Sequence, residues 1–224
     1  PWVQDKTETL AYAMADSPMG PFTFTGIIMD ESPSGCWTNH HSITEYNGQW
    51  YLFYHHNDYS PNFDKNRSAR IDSLFFNTDG TIKKVKPTLR GVGITDARSK
   101  IQIDRYSTIS PYGVTIDYLE PSNTFEGWQT LFNRAGTWVT YNKVDFGTTP
   151  VKRLKARVRS EKGGAITLRT PGEKGMTIAE LPIKPTGKWT EISTNVSNAP
   201  TSMQDLIITQ TGENPVAVDW ISFE

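Results

Sequence analysis

The sequence predicts an all-β chain, and three observations carry that reading. Short runs of strand character recur from end to end, turn residues punctuate them at close intervals, and apolar spacing of helical period is nearly absent. In the first part the strand candidates are residues 9–15, 22–29, 42–46, 49–55, 71–77 and 81–85. Between them stand Ser17-Pro18-Met19-Gly20-Pro21, Asn47-Gly48 and Asp79-Gly80. Glycine accepts positive φ, proline fixes its own φ, and Asn or Asp hydrogen-bonds back to the local backbone, so these are turns for physical reasons. Asn47-Gly48, flanked by Ser42-Ile43-Thr44 and the aromatic run Trp50-Tyr51-Leu52-Phe53-Tyr54, predicts a hairpin.

The second part has a different rhythm. Its strand candidates are residues 101–106, 113–119, 138–144, 151–159, 165–170, 177–182, 190–196, 204–209 and 216–223. Lys152-Arg153-Leu154-Lys155-Ala156-Arg157-Val158-Arg159 alternates charged and apolar residues, which predicts one face in solvent and the other in a core. So many short strands in so few residues predict a β-sandwich of two antiparallel sheets. The polar stretch 91–100 separates the two rhythms, giving a first domain over 1–94, a linker over 95–100 and a second domain over 101–224. A prior of roughly 150 residues per domain allows one or two domains here.

Composition excludes several classes. The formal net charge is −1, so the chain lacks the electrostatic footprint of a nucleic-acid binder. Lys83-Lys84-Val85-Lys86 is short and reads as a solvated strand edge or loop. No apolar run reaches the ~20 residues that a membrane span takes. A lone cysteine, Cys36, rules out an internal disulfide framework and reads as a buried thiol rather than a nucleophile. Aromatic residues make up 12% of the chain, which suits stacking on sugar rings but equally suits cross-strand packing. The chain begins at Pro1 with neither a methionine nor a signal peptide, so either both have been removed or the chain is part of a longer polypeptide.

The first part also carries a set of words in a fixed order. Leu10-Ala11-Tyr12-Ala13 and Ser17-Pro18-Met19-Gly20-Pro21-Phe22 precede Asn39-His40-His41-Ser42-Ile43. Asn47-Gly48, Trp50-Tyr51, Tyr54-His55, Arg67-Ser68 and Asn77-Thr78-Asp79-Gly80-Thr81-Ile82 follow. In order and spacing this resembles the C-terminal part of glycoside hydrolase family 43, in particular its arabinoxylan arabinofuranohydrolases. The resemblance implies the last blades of a five-bladed β-propeller with its active site at the central axis. In that family a histidine near the axis helps to hold a calcium ion through water. The resemblance maps it to His40, with His41 as the neighbouring alternative. An arginine lining the site maps to Arg67, whose fixed positive fork suits a carboxylate or sugar hydroxyls and tunes nearby acids. His41, His55 and His56 otherwise read as hydrogen-bonded structural or surface residues, and Arg70 as solvent-exposed or ion-paired.

Glycoside hydrolysis takes an acid that protonates the leaving oxygen and a base that activates water, about 6.5–9.5 Å apart in an inverting enzyme. The family is inverting and adds a third carboxylate that adjusts the acid. All three lie upstream of the Leu10-Ala11-Tyr12-Ala13 word, so the resemblance implies that this chain holds no catalytic carboxylate. Asp16, Asp30, Glu31, Glu45 and Asp58 sit at turns or strand ends, where acidic residues are ordinary. The missing blades are expected upstream in the polypeptide or in another chain, because an open piece of propeller exposes strand edges.

The second part has its own words: Ile101-Gln102-Ile103-Asp104-Arg105-Tyr106, Gly136-Thr137-Trp138-Val139, Val144-Asp145-Phe146-Gly147, Ile166-Thr167-Leu168-Arg169, Thr186-Gly187-Lys188-Trp189 and Val218-Asp219-Trp220-Ile221-Ser222-Phe223. Together they resemble carbohydrate-binding module family 6, a jelly-roll β-sandwich. The resemblance implies a sugar ring sandwiched between two aromatics at a loop-end cleft. These map to Phe132, where the family usually has Tyr, and to Trp189. The family's asparagine near the C-terminus is replaced by Ala217, with Asn214 close by. Each lost polar partner is worth about 1–3 kcal/mol, which leaves two roles open for the module, sugar binding and packing against the propeller. Trp138 and Trp220 read as core. The family's structural calcium maps to Gln102, Asp104 and Asp219, oxygen ligands of the kind this hard cation takes.

The expected parent is therefore an inverting hydrolase of plant cell-wall polysaccharide, an arabinofuranosidase or xylosidase acting on arabinoxylan. It is expected to be secreted or periplasmic, to have no nucleic-acid partner and no membrane span, and to be inactive as this chain alone. The alternative is a non-catalytic carbohydrate-binding protein.

Overall fold

Residues 8–31, 36, 38–57, 67–173 and 175–224 are described by a computed structural model of the chain. The chain divides into two units, Pro1–Val92 and Gly93–Glu224. Asp58, named above, lies outside the described residues.

In the first unit β1 (Leu10–Met14) and β2 (Thr23–Met29) form a two-stranded antiparallel sheet. The turn between them is closed by the Gly20 N–H donating to the Ser17 carbonyl at 2.9 Å. A second antiparallel sheet holds β3 (Ser42–Tyr46), β4 (Gln49–His56) and β5 (Ser68–Leu74) in that order. Asn47 and Gly48 both have positive φ, 50° and 77°, as a tight two-residue hairpin turn demands. One core serves both sheets: Leu10, Ile28 and Met29 from the first, Leu52, Tyr54 and Leu74 from the second, and Val85 from the segment beyond.

Three expectations for this unit change. The last long strand covers 68–74 rather than 71–77, because its pairing with β4 runs from His56↔Ser68 to Trp50↔Leu74. Residues 81–85 form no strand; a single bridge, Phe76↔Ile82, closes a tight turn whose Asp79 carboxylate accepts from the Thr81 N–H at 3.0 Å. Arg70 is buried rather than solvent-exposed, and its guanidinium donates to the Leu89 carbonyl. The adjacent loop is tied down again at Asp72. This buried carboxylate accepts from the Tyr54 hydroxyl at 2.5 Å, the Thr88 N–H at 3.0 Å and the Thr88 hydroxyl at 2.6 Å.

The second unit is a sandwich. Its strands are β6 (Thr95–Asp96), β7 (Ile101–Gln102), β8 (Thr108–Ile109), β9 (Val114–Tyr118), β10 (Trp128–Phe132), β11 (Trp138–Asp145), β12 (Arg153–Arg159), β13 (Gly164–Arg169), β14 (Thr177–Ile183), β15 (Thr190–Asn195), β16 (Met203–Gln210) and β17 (Val216–Phe223). One six-stranded sheet runs β15-β12-β17-β10-β9 with β7 beside β17. The other runs β14-β13-β16-β11-β6 with β8 beside β11. Phe132, Tyr141, Phe146, Leu154, Ile166, Leu168 and Phe223 are fully buried. The rings of Phe146 and Phe223 meet edge to face at 5.0 Å. In β12 the alternation holds as expected: Leu154, Ala156 and Val158 are buried, and the basic residues between them face outward.

Residues 95–100 are part of this sandwich and not a linker. Thr95 and Asp96 pair in parallel with Val144 and Asp145, and fully buried Ala97 donates to the Asp145 carbonyl while accepting from the Phe223 N–H, each at 2.9 Å. The polar side chains that suggested a linker satisfy backbone ends instead: Arg98 donates to the carbonyls of Phe146 and Thr149, both at 2.6 Å. Strand β10 was not anticipated, although it stands between β9 and β17 in the sheet. Among the described residues, no helix is long and apolar enough to cross a membrane.

Candidate functional site

Sheet register builds a cleft on the outside of the sandwich. Ala217 on β17 pairs with Leu131 of β10 on one side and Arg159 of β12 on the other, which lays these three side by side. They floor a cleft of about 400 Å³ whose walls include Lys162, Asn214 and Pro215. The wall loops are locked together. The Ser160 hydroxyl donates to the Pro215 carbonyl at 2.7 Å, and the Gln210 amide donates to the carbonyls of Gly212, at 3.0 Å, and Asn214. Glycine is required where these loops meet: a Cβ on Gly164 would stand 2.6 Å from the Val216 side chain, and Gly163 has φ +78°.

Trp189 lies in the loop before β15, beside the cleft. The guanidinium carbons of Arg157 and Arg159 stand 5.3 and 5.0 Å from its ring centre. Its indole N–H is buried without a partner among the described residues. Arg157 is ion-paired with Asp219 at 2.6 Å.

The first unit gathers a polar cluster of its own. The His40 N–H donates to His55 Nε2 at 3.0 Å, and the two rings meet edge-on at 5.5 Å. Because Nε2 accepts, neutral His55 carries its proton on Nδ1, which is buried with no partner among the described residues. Burial pushes the His55 pKa down, and the positive charge of Arg67 and the neighbouring histidines push it the same way, against Glu8. Glu8 accepts from the Asn39 N–H at 2.8 Å, which brings the start of the described chain onto the histidine segment.

The sequence profile described as carbohydrate binding module (family 6) matches residues 110–224, half of the chain and nearly all of the sandwich. The chain belongs to carbohydrate binding module family 6. The chain is also similar, over part or most of its length, to larger proteins. An arabinoxylan arabinofuranohydrolase of Paenibacillus polymyxa is 28% identical over 219 residues, 91% of this chain and 34% of that protein. A beta-xylosidase of Xylanibacter ruminicola is 46% identical over 82 residues, 36% of this chain and 24% of that protein. Among solved structures, the glycoside hydrolase family 43 arabinoxylan arabinofuranohydrolase of Bacillus subtilis, in complex with cellotetraose, superposes with a TM-score of 0.64 at 26% identity. That match covers 95% of this chain and 47% of the solved one. The chain thus spans about a third of the length of the first curated relative.

Within the family 6 module, the residues singled out from sequence divide. Asn214 lines the cleft and Trp189 borders it through Arg159. Phe132 does not: it points into the core with 0% exposure, so it has no face to offer a sugar. Its neighbour Leu131 takes the cleft position, since successive strand residues point to opposite faces. Trp138 is half-buried rather than core, and buried Trp220 carries the Lys100 ammonium 4.4 Å over its ring.

Asp104 and Asp219 lie close to one another. The Ile103 N–H donates to the Asp219 carbonyl at 2.9 Å, both side chains are buried, and burial pushes both carboxyls above their usual range. The negative charge of Asp219 raises Asp104 further, and the ion-pair partner of Asp104, Arg105, is exposed. Two desolvated carboxylates with backbone carbonyls nearby fit a hard cation, and exposed Gln102 is in reach by sequence. His40 fits less well. It is exposed, and the cluster around it offers Glu8 as a carboxylate against the competing charge of Arg67. Glu8 is the member of that cluster that sequence reasoning passes over, whereas His55 is hydrogen-bonded and buried.

Proposed function

We propose that the family 6 module binds saccharide at the Leu131–Arg159–Ala217 cleft. The parent protein in this reading is an inverting hydrolase of arabinoxylan-type polysaccharide, an arabinofuranosidase or xylosidase. The observation that carries the reading is the cleft itself, which three strands floor, locked loops wall and a tryptophan borders. The similarity of the full chain to arabinoxylan-cleaving enzymes supports the substrate class. In the first unit, His40, His55 and Arg67 form part of the sugar-facing wall, with the acid and base supplied by other parts of the propeller. Asp16, Asp30, Glu31 and Glu45 are all exposed, and Asp72 is consumed by Tyr54 and Thr88. Gln102, Asp104 and Asp219 would hold a calcium ion in this reading, beside the Arg105 and Arg157 that already pair with the two carboxylates. A polymeric substrate, too large to enter a cell, supports a secreted or periplasmic parent.

Calorimetric titration of the chain with xylotetraose tests the binding role. Saturable binding is expected, weakened at least about tenfold by Trp189→Ala, as loss of an aromatic contact worth ~1.5 kcal/mol would give. No binding at millimolar ligand would leave the module as a packing partner only.

A further inference from the structure

The cleft offers more than a floor for an uncharged ring. Leu131 and Ala217 on its floor offer side chains without hydrogen-bonding groups, and the Ser160 hydroxyl is taken by the carbonyls of Gly163 and Pro215. Beside the neutral amide of Asn214 the cleft presents charge: Arg159, Glu161 and Lys162. The two arginines beside Trp189 differ. Arg157 is neutralised by Asp219 at 2.6 Å. Arg159 makes no close ion pair among the described residues, although its charge reaches the Glu120 carboxylate, and its hydrogen bond to the Gln129 side chain is long, at 3.5 Å. Its guanidinium lies 5.0 Å from the Trp189 ring, an attraction that holds the fork in place. A planar guanidinium held in this way, with donors left over, is preorganised for two-point binding of a carboxylate.

We propose that the cleft takes an acidic saccharide, with Arg159 clamping the carboxylate of a uronic acid residue and Lys162 adding attraction. The proposal rests on the reading of the cleft as a saccharide site. Glu161, in the same loop as Lys162, opposes a second carboxylate, so the ligand carries one acid group per bound segment rather than a run of them.

The test is titration with two probes, xylotetraose and xylotetraose bearing one glucuronic acid branch. The acidic probe is expected to bind about tenfold tighter at low salt. That preference shrinks in ~1 M salt, where the screening length falls to about 3 Å. Arg159→Gln removes the preference, and Arg159→Lys, which keeps the charge but not the fork, retains only its salt-sensitive part. The unmodified chain alone already decides between the probes, so a variant that folds poorly does not block the answer. Equal affinity for both probes overturns the proposal and leaves the saccharide-site reading standing. Binding of neither overturns both. A preference unmoved by Arg159→Gln overturns the role given to that residue.

Discussion

The two units build β-structure in opposite ways. The sandwich sets two six-stranded sheets face to face, so its large rings, Phe132, Phe146 and Phe223, are fully buried. Among the described residues the first unit has sheets of two and three strands, and Phe22, Phe24, Tyr46 and Phe53 remain 63%, 54%, 68% and 45% exposed. A strand buries its second face only when another layer covers it. The family 6 module therefore carries its own core, whereas the first unit depends on a few apolar residues and on polar ties such as Asp72. Function follows the same division: the sandwich has a walled cleft, and the first unit offers a partial cluster around His40 and His55.

The largest expected effects test whether the two cores are separate. Phe223→Ala is expected to cost about 3–5 kcal/mol in the sandwich, and Leu52→Ala about 2–5 kcal/mol in the first unit. In denaturant titration each variant should shift a different transition. One shared transition moved by both would break the comparison. A smaller effect sharpens it: Asp72→Asn replaces one acceptor oxygen with an amide donor facing the Tyr54 and Thr88 donors, and is expected to cost about 1–3 kcal/mol in the first unit only. Smallest is calcium. Adding it should raise the Tm of the sandwich by a few degrees, through binding to the folded state alone, and leave the first unit's transition in place. Asp104→Asn should abolish that rise, and a rise that survives the substitution would place the ion elsewhere.

Legibility in the sequence followed the same physics. The Asn47-Gly48 hairpin and the alternation of β12 were plain because turn chemistry and period-two burial are local signals. Strand β10 was hidden, since Trp128-Gln129-Thr130-Leu131-Phe132 lacks clean alternation; Gln129 and Thr130 are both buried. The cleft assignment at Phe132 missed by one residue, which in a strand exchanges core for surface. Ala97 was lost inside a polar stretch, although it is fully buried between Asp145 and Phe223. Buried Arg70 and the contact of Glu8 with Asn39 depend on residues far along the chain, and no local pattern announces either.

The central claim is that this chain holds saccharide without cleaving it. Its most direct test is to incubate the purified 224-residue chain with arabinoxylan and measure released arabinose and xylose. The account predicts retention of polymer on the chain with no release above a blank. Release of either sugar would contradict it, because the acid and base would then have to lie within these residues.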